Sequence, residues 1–454
     1  MYANLLVKKS SKESIRLREN IINKTEKDMS LKGRVIDLAG KPVQNLYVMA
    51  YKGKPSQMFQ MLSVRTMPEY MVRTDEEGYY TIDAAEEGKY FLVARELIGE
   101  APAKGEKYGL YEENTDHSVE LKSKSIDNAN IVVSRVMAVV DQETDRLGRL
   151  LTKSRFKDMY GSGVGIQGRV LSNHRYSEDT VLDTDTVWEG DIVIEGVVHV
   201  RRGVTLVIRP GSIISFKKID RNRDGIGDGR IEVSGRLLAE GTPAHMIRFT
   251  SGEEEPDKMD WSYLLFFVSG DRNIIRNCVF EYAFTGLQVH FSRVVISDSL
   301  FTGNHEAIRY GRAELQLEHN DIVLNNYGIR YTRLEGPVHI RYNNIRNNRV
   351  GIFHVPSNQN IMDFSNTLIK KPELHTHQPL VSHNNIAYNV EYNFRLGERQ
   401  GYNISLADNW WGSDADESIQ DLIFDEREDN SLGRVIFKPF LKSPVQNAGV
   451  RRGG

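Results

Sequence analysis

The residues best suited to chemistry lie in one glycine-rich stretch, residues 220–229, between two predicted strands. Oxygen-bearing side chains stand at its positions 1, 3, 5 and 9, with a glycine at position 6 and a backbone carbonyl available at position 7. This is the spacing of the first nine positions of an EF-hand-type calcium loop, in which the chain curls around the ion. We therefore predict calcium as a cofactor, held by Asp220, Asn222, Asp224, Ile226 and Asp228.

This loop departs from the calcium pattern at its end. Position 12, which is a bidentate glutamate in an EF-hand loop, is Ile231 here, and Glu232 follows one place later. Glu232, another loop or water would have to complete the coordination, and the affinity would be modest. A solvated aspartate–glycine turn that binds no metal is the alternative interpretation.

A second candidate site falls on strands that recur later in the chain. Arg309, Arg330 and Phe353 occupy equivalent outward positions in successive repeats. Two stacked arginines beside an aromatic ring are suited to a carboxylated sugar or an acidic protein patch. These residues are therefore predicted to bind a ligand, with ordinary solvated strand positions as the competing interpretation.

The elements that position both sites are specified by a repeat of 21 to 25 residues that begins near residue 273. Four apolar residues mark equivalent inward positions: Phe280, Phe301, Ile322 and Ile345. Each is preceded five residues earlier and followed seven residues later by another apolar residue. Coils of this length, rich in β-branched residues and with glycine at turns, are typical of a parallel β-helix. Asparagines at one turn of each coil predict a ladder of amide hydrogen bonds: Asn304, Asn325, Asn348 and Asn389.

The two ends of the repeat region are also marked. Residues 413–416 have capping-box spacing and precede a short amphipathic segment, which predicts a helix that covers the last coil. Residues 187–444 resemble the right-handed parallel β-helix proteins of the pectate-lyase-like superfamily, for example in Trp-Glu-Gly-Asp at 188–191 and Asn-Trp-Trp-Gly at 409–412. The resemblance implies either an exported polysaccharide lyase or hydrolase, or a surface protein without a known reaction.

The preceding hundred residues follow a different pattern, in which alternating strands are joined by glycine and aspartate turns. Gly-Lys-Pro-Val at 40–43, Thr-Asp-Glu-Glu-Gly-Tyr at 74–79 and Gly-Lys-Tyr at 88–90 occur in order. They predict a small antiparallel β-sandwich. This segment resembles the carboxypeptidase regulatory-like domains, which are prealbumin-like, and the resemblance implies an accessory module without catalytic residues.

The predicted fold class is all-β, a right-handed parallel β-helix preceded by a small antiparallel β-sandwich, with a short helical linker and a C-terminal capping helix. The predicted organisation is a polar segment at 1–30, the sandwich at 31–136, a linker with a helix at 137–186, the β-helix with its cap at 187–444 and a disordered tail at 445–454.

Bulk composition excludes several partners. The 59 basic and 62 acidic residues give a net charge of −3, which offers no electrostatic reason to bind nucleic acid. The sequence has no apolar run of transmembrane length. The single cysteine, Cys278, excludes an internal disulfide and is predicted to be an inert buried thiol. Residues 1–30 contain no secretory apolar segment, so an exported protein would carry its signal, and any lipid anchor, outside this sequence.

The function favoured by the sequence is that of a non-catalytic binding or scaffold protein, located in the extracellular space, at the cell surface or in the periplasm. Its β-helix would present a surface to other exported or surface proteins or to envelope polysaccharide. The coils contain no obvious pair of carboxylates of the kind that glycoside hydrolysis requires. A carbohydrate-active enzyme, either a polysaccharide lyase or a glycoside hydrolase acting on an acidic polysaccharide, is the alternative.

Overall fold

The computed structural model describes residues 29–52, 68–83, 85–98, 102–137, 168–269, 272–331, 337–355, 379–398 and 400–451. Within these ranges, strands dominate and one short helix is present, which confirms the all-β fold class. The helix predicted in the linker lies outside the described residues. No helix in the described part of the chain has the length and apolar character that a membrane crossing requires.

The first eight strands form the N-terminal β-unit. Their order in the sheet is β3-β2-β5-β6-β8-β1-β4, with β7 beside β5. These pairings are antiparallel except for the parallel pair β1 and β8. Inward residues such as Val35, Val48, Leu92 and Ile131 form its core, since successive strand residues point to opposite faces. The strands are β1 (Leu31–Asp37), β2 (Tyr47–Lys52), β3 (Tyr70–Arg73), β4 (Tyr79–Ile82), β5 (Gly88–Arg95), β6 (Lys107–Leu110), β7 (Ser118–Leu121) and β8 (Ile131–Arg135).

The remaining strands wind into a parallel β-helix. They are β9 (Arg169–Tyr176), β10 (Thr180–Leu182), β11 (Thr186–Ile194), β12 (Val197–Val200), β13 (Thr205–Ile208), β14 (Ile213–Phe216), β15 (Arg230–Val233), β16 (Arg236–Glu240), β17 (Ile247–Ser251), β18 (Trp261–Phe267), β19 (Arg272–Arg276), β20 (Cys278–Glu281), β21 (Ala283–His290), β22 (Arg293–Ser297), β23 (Leu300–Thr302), β24 (Glu306–Gly311), β25 (Glu314–Glu318), β26 (Asp321–Val323), β27 (Tyr327–Tyr331), β28 (Val338–Arg341), β29 (Asn344–Arg346), β30 (Val350–His354), β31 (Leu380–Ser382), β32 (Asn385–Ala387), β33 (Tyr392–Leu396), β34 (Ile404–Ser405), β35 (Ile423–Phe424) and β36 (Val435–Ile436).

From β12 to β32 each coil contributes one strand to each of three faces, while β34 and β36 form a separate two-stranded sheet. Face 1 is the ten-stranded sheet β10-β12-β15-β18-β21-β24-β27-β30-β33-β35. Faces 2 and 3 are the two limbs of the sixteen-stranded sheet, which run from β11 to β31 and from β11 to β32. The β-helix begins earlier than predicted, because β9 and β10, which fall in the predicted linker, already pair with β11 and β12. The exposed side chains of β9 gave no alternating apolar signal.

The stacked core agrees with the predicted repeat. Phe280 pairs in register with Phe301, Phe301 with Ile322, and Ile322 with Ile345, all on face 3. The rings of Phe280 and Phe301 are stacked with centroids 4.9 Å apart. Burial of each such side chain contributes roughly 1.5–3 kcal/mol, so the coils are stabilised by their own interior.

Two amide ladders, not one, run along the turns. The predicted ladder exists, and each amide nitrogen donates to the amide oxygen of the next member: Asn304, Asn325, Asn348 and Asn389. A second ladder follows the corner between faces 2 and 3: Ser299, Asn320, Asn343, Asn384 and Asn409. The residue before each member of this second ladder has a positive φ, for example Tyr342 at 58° and His383 at 57°. Such non-glycine residues are strained, and the buried amide hydrogen bonds offset that strain.

The C-terminal segment covers the last coils. Helix α1 (Asp416–Gln420) buries Ile419, but the predicted capping box does not form, because the N-cap is Ala415 and has no side-chain hydrogen bond. The prediction of a disordered tail is wrong for residues 445–451, which lie along the coils. Val445 pairs with Asn385, and Arg451 makes a two-bond ion pair with Asp298, with both distances 2.6 Å.

Candidate metal centre

The N-terminal β-unit packs against the outward side of face 1, over the first coils of the β-helix. Phe91, Tyr108 and other apolar residues of the β-unit meet Leu265, Phe267 and Phe291 of the β-helix in one buried cluster. Tyr108 and Phe267 make an edge-to-face contact with centroids 6.4 Å apart. This apolar cluster lies beside a small polar core, since the rings of Phe91 and His117 are in contact with centroids 5.9 Å apart.

That polar core contains a candidate metal centre formed by His117, His199 and Glu232. One possible ligand atom from each residue lies within 4.8 Å of the others, and all three residues are buried. Glu232 Oε2 lies 3.9 Å from both His117 Nε2 and His199 Nδ1. Two imidazoles and a carboxylate at this separation are a donor set that transition metals use in proteins.

Local structure explains how the three residues converge. His199 lies on β12 between Val198 and Val200, whose side chains point into the core, so the imidazole points outward. Glu232 on β15 is its in-register partner on the next coil. His117 comes from the turn before β7, where its φ of 55° directs the side chain away from the strand. The N-terminal β-unit therefore supplies one residue of the centre and the β-helix supplies two.

Hydrogen bonding leaves a lone pair of His117 facing the centre. Its Nδ1 lies 2.8 Å from the carbonyl oxygen of Tyr111. A carbonyl only accepts, so this geometry assigns the proton to Nδ1 and leaves Nε2 without one. Burial, reinforced by His199, lowers the pKa of His117 to about 4, so the ring is neutral at pH 7. Nε2 has no hydrogen-bond partner.

Glu232 directs a second lone-pair donor to the same point. Its Oε1 accepts a 2.6 Å hydrogen bond from Arg230 Nε, whereas its Oε2 has no partner. Burial opposes ionisation, but Arg230 and the two imidazoles outweigh it and lower the pKa of the Glu232 carboxyl. The residue is therefore a carboxylate, and a buried carboxylate oxygen without a partner is costly.

Glu112 flanks the centre on the other side of His199. Its Oε2 accepts a 2.8 Å hydrogen bond from the backbone N–H of Arg202, and its Oε1 lies 3.7 Å from His199 Nε2. Burial raises the pKa of Glu112, but Arg202 and His199 outweigh it and lower the pKa to about 2. A carboxylate beside the far nitrogen of a histidine is the outer-shell arrangement that orients metal-binding imidazoles. With Nε2–H facing Glu112, Nδ1 of His199 presents its lone pair to Glu232 and His117.

The loop at residues 220–228 is closed by hydrogen bonds from its own backbone to its aspartate side chains. Asp220 accepts from the backbone N–H groups of Asp224 and Gly225 at 3.1 and 2.9 Å. Asp224 Oδ1 accepts from the N–H of Ile226 at 2.8 Å and its Oδ2 from the Asn222 amide at 3.0 Å, while Asp228 Oδ2 accepts from the N–H of Arg221 at 2.8 Å. These oxygens close their own turn, and Glu232, one of the residues considered for completing the calcium coordination, faces the candidate metal centre.

The second predicted site is also engaged within the chain. Arg309, Arg330 and Phe353 stand in register on face 1, as expected. Arg309 makes two hydrogen bonds, 2.8 and 2.6 Å long, to the buried carboxylate of Glu306, and Arg330 pairs with the same carboxylate. Ligand binding by these three residues stays a prediction.

Sequence reasoning missed His117, His199 and Glu112 and considered Glu232 only as a possible calcium ligand, so it did not predict a centre formed by these four residues. His199 and Glu232 could have been found from the strand register. The outward position occupied by Arg309 and Arg330 is occupied in the preceding coils by Gln288, Leu265, Glu232 and His199. Counting that position back coil by coil would have placed the histidine beside the glutamate. His117 gave no such signal, because its approach depends on how the β-unit docks.

Residues 172–374 match a protein family described as "Periplasmic copper-binding protein (NosD)". The match covers less than half of the 454 residues and includes His199 and Glu232, but not His117. It overturns calcium as the predicted cofactor, because the metal named for the similar family is copper. The periplasmic description agrees with the predicted location outside the cytoplasm. No curated protein and no solved structure is significantly similar to the chain.

Proposed function

We propose that this chain is an exported, non-catalytic metal-binding protein that holds one transition-metal ion of the copper class between its N-terminal β-unit and its β-helix. One observation carries the proposal. His117 Nε2, His199 Nδ1 and Glu232 Oε2 point at one another in a buried interface, and none of the three atoms has a hydrogen-bond partner.

The donor atoms favour the oxidised, cupric form. Imidazole nitrogen suits copper(II) and zinc, whereas copper(I) is selected by thiolate and thioether sulfur. The lone cysteine, Cys278, is elsewhere, with its thiol donating to the carbonyl oxygens of Ala239 and Arg276. A divalent ion, when bound, would supply the positive charge that the converging lone pairs lack. Among divalent ions, copper(II) binds a given nitrogen and oxygen site more tightly than zinc.

Burial supports a binding role over a carbohydrate-active enzyme. His117, His199 and Glu232 are only 2%, 1% and 3% exposed, so a polysaccharide chain has no access to them. Glu306, a coil carboxylate on face 1, is fully buried and committed to two arginines. The description of the similar family supports a periplasmic location, where other exported proteins would be the partners.

Metal titration of the purified full chain tests this function. Copper(II) binding, followed by calorimetry and by the nitrogen hyperfine structure of the electron paramagnetic resonance spectrum, is expected to reach one equivalent. His199→Ala and Glu232→Gln should weaken binding by more than about 100-fold, beyond the roughly 10–100-fold effect of losing an outer-shell partner. His245→Ala, which removes an exposed histidine, is the matched control. Absence of stoichiometric binding, or equal binding by the ligand variants, would refute the proposal.

A further inference from the structure

The candidate metal centre is divided between two parts of the chain. His117 belongs to the N-terminal β-unit, while His199 and Glu232 belong to successive coils of the β-helix. The outer shell is divided in the same way, since Glu112 of the β-unit accepts from the backbone of Arg202 in the β-helix. The complete donor set therefore exists only when the β-unit is docked on face 1.

We infer that metal binding at this centre and docking of the N-terminal β-unit onto the β-helix are one coupled equilibrium. The inference rests on the proposed function, and it concerns what the occupied site does. Anything that binds only the docked arrangement stabilises it. By linkage, any change that lowers the docked fraction of the metal-free protein lowers the apparent metal affinity in proportion to that fraction.

Docking without an ion buries several polar atoms that lack hydrogen-bond partners. These are His117 Nε2, both ring nitrogens of His199 and Glu232 Oε2. Arg202, in contrast, is paired across the interface, with its Nη2 3.5 Å from Glu112 Oε1. Buried polar groups without partners oppose association.

The apolar cluster beside these polar atoms favours docking. Two ion pairs across the interface add to this, Lys104–Glu314 at 2.6 Å and Arg201–Glu113 at 2.7 Å. The apolar contacts and ion pairs thus favour docking, whereas the polar atoms without partners oppose it. A bound cation would shift the equilibrium towards the docked arrangement.

Burial also determines how metal exchanges. Because all three donor residues are buried in the interface between the β-unit and the β-helix, an ion enters or leaves only when the interface opens. Uptake and release should then follow the opening rate of the interface, and a partner that separates the two units would discharge the metal. The site would release its ion without any change to the donor residues themselves.

The test weakens docking at a point that does not belong to the centre. Phe291→Ala removes a β-helix ring from the apolar cluster that the β-helix shares with the β-unit. Phe424→Ala is the matched control, since Phe424 lies at the other end of face 1. Lys104→Glu, which faces Glu314 across the interface, is a second and milder perturbation in case the first variant folds poorly.

Two measurements on the full chain decide the outcome. Copper(II) affinity should fall at least about 10-fold in Phe291→Ala and Lys104→Glu, and stay unchanged in Phe424→Ala. Hydrogen exchange at the Arg202 amide, which is bonded to Glu112, should slow when copper(II) is added to the wild-type protein. The inference would be overturned if all three variants bound copper(II) through His199 and Glu232 with equal affinity, and if copper(II) left hydrogen exchange at the Arg202 amide unchanged. The proposed function would stand in that case. Failure of the wild type to bind copper would instead refute the proposed function.

Discussion

Removal of one buried ladder amide, Asn343→Ala, should destabilise the β-helix substantially. Asn343 Oδ1 accepts from the backbone N–H and the amide of Asn320, at 2.9 and 3.0 Å. Its Nδ2 donates to the carbonyls of Leu317 and Arg341 and to Asn384 Oδ1, at 2.8, 3.0 and 2.9 Å. The residue is fully buried, so water cannot replace these five contacts without a rearrangement.

The expected loss is about 3 kcal/mol of unfolding free energy. Each hydrogen bond contributes about 0.5–1.5 kcal/mol net, and a buried group left without a partner costs about 1–3 kcal/mol. The total lies near the low end of that sum, because the Asn320 amide keeps its bonds to the carbonyls of Ile296 and Glu318. The backbone N–H of Asn320, in contrast, loses its acceptor.

Urea unfolding followed by circular dichroism at a strand-sensitive wavelength measures this loss. Arg346→Ala, an exposed substitution on the same coil, is the control and should change stability by less than about 0.5 kcal/mol. A loss below about 1 kcal/mol for Asn343→Ala would refute the reasoning, because water would then replace the hydrogen bonds of the ladder without a cost in stability.

Two further predictions concern acid sensitivity and the C-terminal segment. Burial lowers the pKa of His354 to about 3, whereas the unfolded residue titrates near 6.5, so between these values the unfolded state binds more protons. The unfolding free energy should therefore fall as pH drops through this window, by up to about 1.4 kcal/mol per pH unit. Thermal melts between pH 4 and 7 should show that the melting temperature of His354→Phe depends less steeply on pH than that of the wild type. An equal pH dependence in the two proteins would contradict the lowered pKa of His354. Gly449→Ala should release residues 445–451, because φ is +88° and a Cβ would lie 2.2 Å from Asn344 Nδ2. Limited proteolysis should then trim the C terminus faster than in Ala448→Ser, and equal rates would contradict the prediction.

The sequence predicted those parts of the fold that depend on local periodicity. Phe280 and Phe301 could be aligned because each coil must bury its own apolar positions against the next. The second amide ladder was partly visible, since Asn320, Asn343 and Asn384 recur at one position, but its hydrogen bonds depend on turn geometry.

The candidate centre depends on contacts that periodicity does not encode. His117 and Glu232 are 115 residues apart in the sequence and meet only because the N-terminal β-unit rests on face 1. The aspartates of the 220–228 loop have metal-ligand spacing and accept hydrogen bonds from the N–H groups of their own turn. Spacing identifies possible ligands within one segment, whereas the candidate centre joins residues that are distant in the sequence.

The in-register coils make length an adjustable property of this protein. Asn304 and Asn325 are bonded to their neighbours in the same way, and the strands around them repeat with the same pairing. A complete coil duplicated between them would find matching surfaces above and below. Evolution or design could therefore lengthen the C-terminal half of the β-helix for new partners, while the end that carries the candidate metal centre kept its geometry.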